Sequence, residues 1–195
     1  AGSMLVKSRK QYAKLLRSNG LKEEAKQVAL CEGADEVQRG RVRAHEGKLS
    51  AALSHWKRAR KVQPNLIEAY WQPLRAHEVI KSTLKGAGKD GLALAKKLGA
   101  VGPVNRIGNS FQLQPEGAQP QPLDSLLTDL SRWLNLELNL PAKASVALDA
   151  VKRELERQIA SIEAGEQAAN AKLQAAIDTL QPAVDYHEYS RGGTA

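Results

Sequence analysis

Between residues 4 and 80 apolar side chains recur every three or four positions, in short runs separated by glycine or proline. Leu5, Tyr12, Leu15 and Leu16 share one face of a helix over 4–19, and Asn19-Gly20 supplies its stop. Ala25, Val28, Ala29 and Leu30 mark a second helix over 21–32, with Gly33 expected to end it. Asp35 is placed to cap a third helix to Glu46, carrying Val37, Val42 and Ala44, and Gly47 closes it. A fourth, over 49–62, has Leu49, Ala52, Leu53, Trp56 and Ala59 on its inner side. Pro64 ends that helix, and a fifth starts near Asn65 with Ile67, Ala69, Tyr70, Trp71 and Leu74. Short helices joined by tight turns predict antiparallel hairpins stacked side by side.

The pattern changes after Val79. Gly86-Ala87-Gly88-Lys89-Asp90-Gly91 formally matches a dinucleotide-binding fingerprint. The preceding residues 79–85 are too polar for the buried strand that fingerprint needs, so the stretch reads as a flexible basic turn. Residues 92–108, from Leu94-Ala95 through Gly99 to Val104 and Ile107, look like part of a helix-turn-helix. Val104–Ile107 and Ser110–Leu113 flank Gly108-Asn109 and are able to form a small hairpin. Beyond it, Gln114 to Pro122 reads as a linker. Asp124 then caps a helix bearing Leu126, Leu127, Leu130, Trp133 and Leu134. Pro141 opens the last segment, in which Leu148, Val151, Leu155, Ile159, Ile162, Ala169, Leu173, Ile177 and Leu180 keep a three-to-four spacing as far as Pro182. The expected organisation is therefore a basic helical-hairpin domain over 1–98, a Gly/Pro-rich linker over 99–123, a C-terminal helical hairpin or long helix over 124–182, and a flexible tail over 183–195.

One stretch carries a repeat-like signature. Gly40, Gly47, Ala52, Trp56, Ala59 and Pro64, followed by Asn65, Glu68, Ala69 and Tyr70, resemble the tetratricopeptide repeat, a helix–turn–helix unit of about 34 residues, with residues 33–66 as the matching unit. Small residues at 40, 52 and 59 let two helices approach closely, Trp56 fills the space between them, and Pro64 closes the second helix. Neighbouring units are degenerate. Gly20-Leu21-Lys22-Glu23-Glu24-Ala25 repeats the turn-then-alanine pattern at the wrong separation, and Pro73-Leu74 replaces the leucine and glycine the family prefers. The resemblance implies an all-α fold whose concave face, lined by the first helix of each unit, binds a protein or peptide. The inward positions are then Val37, Arg41 and His45, followed by Glu68, Trp71 and Arg75. Arg41 and Arg75 suit acidic groups of a partner, with Trp71 as an apolar anchor.

Charge adds a competing possibility. The 195 residues hold 29 Lys and Arg against 21 Asp and Glu, and the balance is uneven along the chain. Residues 1–100 carry 21 basic and 9 acidic side chains, a net of +12, while residues 101–195 carry 8 and 12, a net of −4. A basic half attracts anions, nucleic acid among them. Arg39, Arg41, Arg43, Lys48, Lys57, Arg58, Arg60 and Lys61, extended by Lys85, Lys89, Lys96 and Lys97, are the candidate phosphate contacts for a DNA- or RNA-binding alternative.

Residue types that carry chemistry are sparse. His45-Glu46 and His77-Glu78 lack the second histidine of a zinc-protease helix, and Cys31, the single cysteine, reads as a core residue. Neither an enzymatic activity nor a metal or cofactor is expected. No run is long and apolar enough for a membrane span, and no charged-then-apolar leader precedes the first helix, so a cytoplasmic location without a membrane partner is expected. The leading expectation is a non-enzymatic adaptor or assembly protein. Its long C-terminal helix offers a seam for homo-oligomers.

Overall fold

The structure is a computed structural model that describes residues 2–81, 84–115 and 120–192. The described chain is mostly helical, as the periodicity predicts, with one small sheet. Helices α1 (Gly2–Ser18), α2 (Lys22–His45), α3 (Leu49–Val62), α4 (Glu68–Ile80) and α5 (Leu84–Gly99) come first. Strands β1 (Val104–Ile107), β2 (Ser110–Leu113) and β3 (Gln121–Pro122) form an antiparallel sheet in that order, with Val104 opposite Leu113 and Gln112 opposite Pro122. Helix α6 (Leu123–Arg132) runs into a π turn at Trp133–Glu137, and α7 (Ala142–Gly192) ends the described chain. Two compact units divide it, residues 1–154 and 155–195.

Within the first unit, α1 packs on α2, α2 on α3, α3 on α4 and α4 on α5. Val37, Ala52, Trp56, Ala59, Leu66, Ala69 and Ala76 form one buried cluster among α2, α3 and α4. Trp56 is 1% exposed and donates its indole N–H to the Val37 carbonyl at 3.2 Å. A Cβ on Gly40 would collide with that indole, so the absence of a side chain at this position is what lets α2 and α3 approach. Glycine also makes the corners. Gly20 and Gly47 stand at φ +78° and +74° after α1 and α2, and Gly108 at +60° turns β1 into β2.

Three expectations between residues 33 and 108 are overturned by the packing or pairing of other segments. Gly33 does not stop a helix: α2 runs through it without a break. Gly33 is buried, and a Cβ there would lie 2.6 Å from the Cβ of Gln63, so glycine serves close approach rather than chain reversal. Residues 86–91 are not a flexible turn but part of α5. Gly88 and Gly91, three apart and so on one helical face, admit Pro141 to 2.9 Å and Ala144 and Leu148 to 3.4 Å of a would-be Cβ. Residues 104–107 form β1, so no second helix follows α5 and the helix-turn-helix reading of 92–108 fails.

Cys31 is exposed on α2 rather than in the core. At the C-terminal end, α7 continues through Gly165 and past Pro182, where a stop was expected, and covers the expected tail as far as Gly192. Residues 193–195 of that tail, and 116–119 of the expected linker, lie outside the described residues.

Pro73 lies inside α4, where a proline has no N–H for the carbonyl four residues earlier, that of Ala69. Arg60 of α3 replaces the missing donor: its Nε bonds the Ala69 carbonyl at 3.0 Å. The same guanidinium reaches Asp90 of α5 at 3.0 Å and lies 4.7 Å from the Tyr70 ring centroid. His77, 1% exposed, bonds the other Asp90 oxygen at 3.0 Å. One arginine thereby ties three consecutive helices.

Candidate binding cavity

The last turns of α2, one position of α3 and the outer side of α4 enclose a cavity of about 480 Å³ in the first unit. Arg41, Ala44 and His45 come from α2, Trp56 from α3, and Gln72, Arg75, Ala76, Val79 and Ile80 from α4, with Gly47 at the corner. The helical period explains the grouping, since 41, 44 and 45 share one face of α2 and 72, 75, 76 and 79 one face of α4. Val79 is 83% exposed, a large aliphatic group standing in solvent at the edge of a concave surface. Among the described residues no Asp or Glu lines the cavity, whereas two arginines do.

Of the partner-binding residues expected from sequence, Arg41, His45 and Arg75 meet in this cavity. Glu68 stands outside it, 3.5 Å from Arg41 and accepting from Gln72 Nε2 at 3.2 Å. Trp71 does not join them. It is 5% exposed, its indole N–H donates to Asp129 Oδ2 of α6 at 2.6 Å, and the Arg75 guanidinium covers its ring at 4.4 Å. Its role as an exposed anchor is therefore replaced by a structural one, fastening α4 to α6. Arg75 Nε bonds the same Asp129 oxygen at 2.6 Å, and Arg132 takes the other at 2.7 Å. That leaves Arg75 pinned at one nitrogen while its side chain remains 40% exposed. The aliphatic rim of Val79 and Ile80 escaped the sequence reading. Its only signal there was a pair of adjacent apolar residues at a helix end, with polar residues following.

The candidate phosphate-binding residues divide differently. Arg39 and Arg58 each bond Glu36 at 3.1 Å, and His55 Nδ1 stands 2.8 Å from the same carboxylate. Burial pushes the Glu36 carboxyl upward, but the His55 hydrogen bond and the charges of Arg58, His55 and Arg39 outweigh it and hold the group below its ordinary 4.5. Arg43 pairs with Glu46 at 2.8 Å, and hydrogen bonds from Lys48 and Arg43 lower that carboxyl as well. Arg60 is committed as described, and Lys97 Nζ donates to Asn65 Oδ1 at 2.6 Å. Lys57, Lys61 and Lys96 are exposed. Most of the arginines that make the N-terminal half basic thus face carboxylates of the same unit.

Among the described residues no group of His, Cys, Asp and Glu is arranged to hold a metal ion, and no helix is long and apolar enough to cross a membrane. Comparison with family models, with curated proteins and with solved structures returned no match to this chain.

Proposed function

We propose that the first unit is a non-enzymatic helical adaptor that binds a protein or peptide partner in the α2–α3–α4 cavity. On this reading the second half of α2 and all of α3 act as the two antiparallel helices of one tetratricopeptide-like hairpin, residues 33–66, and α4 begins a degenerate neighbour. The observation that carries it is the composition of the cavity: Arg41, His45 and Arg75 around a rim of Val79 and Ile80, with no acidic side chain among the described lining residues. Such a surface suits a segment that presents a carboxylate beside an apolar side chain. Arg39, Arg43, Arg58 and Arg60 face internal carboxylates at 2.8–3.1 Å, closer than the 3.5 Å between Arg41 and Glu68, so Arg41 gives up less than they do on meeting an outside anion, which favours this over nucleic-acid binding.

A photo-crosslinking residue at Val79 tests it in extract of the source cell with and without nuclease. The expected result is a discrete protein adduct that Arg41→Glu abolishes and that a crosslinker at Ile107 on β1 does not form. A nucleic-acid adduct, or adducts indifferent to Arg41→Glu, would refute it.

A further inference from the structure

The second unit holds α7 from Leu155 to Gly192. On it Ile159, Ile162, Glu166, Ala169, Leu173 and Ala176 follow each other at alternating steps of three and four, the spacing that keeps one seam facing a partner helix. Leu173, Ile177 and Leu180 are 61%, 45% and 63% exposed, so large aliphatic groups on and beside this seam stand in water. We propose that the seam pairs with the same segment of a second copy of this chain, antiparallel and centred between Gln167 and Ala168. The inference stands apart from the adaptor reading and does not depend on it.

Charge and size select that arrangement. A parallel pair places each seam residue against its own copy and sets Glu166 against Glu166, which costs like-charge repulsion in a desolvating seam. In the antiparallel pair Ile162 meets the second copy's Leu173, Ile159 meets its Ala176, and Glu166 meets its Ala169, so Ile159, Ile162 and Leu173 find apolar neighbours and the carboxylate finds a small one. The second copy's Lys172 then passes Gly165, where a would-be Cβ has nothing within 4 Å, and reaches Glu166. The two-fold axis makes this ion pair twice. Sliding the pair by one heptad in one direction opposes Lys172 to Lys172, and sliding it in the other opposes Glu163 to Glu163. The flanking charges therefore reject both neighbouring registers.

The test uses the full chain with Cys31→Ser as background. Sedimentation equilibrium is expected to show a monomer–dimer exchange, with Leu173→Asp weakening it by at least about tenfold while helical circular dichroism is retained. Glu166→Lys and Lys172→Glu are each expected to weaken association, and the double exchange to restore it. Under oxidation, Ile162→Cys mixed with Leu173→Cys should cross-link, and Leu173→Cys alone should not. A monomer at every concentration overturns the proposal. So does a dimer indifferent to Leu173→Asp, and so does cross-linking of Leu173→Cys alone as efficient as that of the mixture.

Discussion

Arg60 and Pro73 offer a direct measure of how the first unit holds an interrupted helix. Replacing Arg60 by Ala removes three things at once: the donor to the Ala69 carbonyl, the ion pair to Asp90, and the cover over Tyr70. Ala69 is 0% exposed, so its carbonyl is left without water. An orphaned buried acceptor costs about 1–3 kcal/mol. The ion pair, with side chains 20% and 16% exposed, adds roughly 1 kcal/mol, since Asp90 keeps His77. The expected destabilisation of Arg60→Ala is therefore about 2–4 kcal/mol.

Pro73→Ala returns an N–H that can bond the Ala69 carbonyl along the helix. In that background Arg60→Ala should cost about 1–2 kcal/mol less than in the parent, a coupling between residues that are thirteen apart in sequence and share only a carbonyl. Urea unfolding followed by tryptophan fluorescence measures all four corners of the cycle, with slopes compared to confirm that the unfolding transition is unchanged. Additive penalties, or a larger penalty in the Pro73→Ala background, would show that Arg60 does not stand in for the missing donor.

Other substitutions read different parts of the structure. Gly40→Ala gains about 1 kcal/mol of helix propensity but drives a methyl group into a rigid indole, so a net loss of about 1–2 kcal/mol is expected by urea unfolding. Asp129→Asn leaves Trp71 an acceptor but removes the charge shared by Arg75 and Arg132; a loss of about 1–3 kcal/mol is expected, with a blue-to-red shift of tryptophan emission if α6 loosens from α4. Because Glu36 is held below its ordinary 4.5, folding gains stability from its ionisation above that value. The gain disappears as pH falls through the lowered value of the folded state, so Glu36→Gln should flatten the acid limb of thermal stability below about pH 4.5 while lowering stability at neutral pH.

Features that depend on neighbours in sequence are legible along the chain. Helical periodicity located α1, α3, α6 and the long α7, and the corners at Gly20 and Gly47 followed from a residue type able to take positive φ. Gly108-Asn109 between alternating segments located the hairpin for the same reason. Close approach of α2 and α3 at Gly40 was also legible, since Trp56 and the small residues opposite it lie within one local unit.

Part of the cavity was equally visible, because Arg41, His45 and Arg75 fall on faces set by the helical period. Trp71 shows the limit. Its periodic position suits an exposed anchor and a core residue alike, and only Asp129, 58 residues further on, makes it the latter. Gly33, Gly88 and Gly91 show it again: a glycine that breaks a helix and one that admits a neighbour are the same letter.

The amino-acid order alone determined most of the helices, which residues share a face and that Gly20, Gly47 and Gly108 turn the chain, because each depends on contacts within a few residues. Tertiary structure decided which charges remain available and which glycines are contacts. Those outcomes depend on Gln63, Asp90, Asp129 and Pro141, whose arrival at Gly33, Arg60, Trp71 and Gly88 is set by how the helices pack and leaves no periodic trace in the chain.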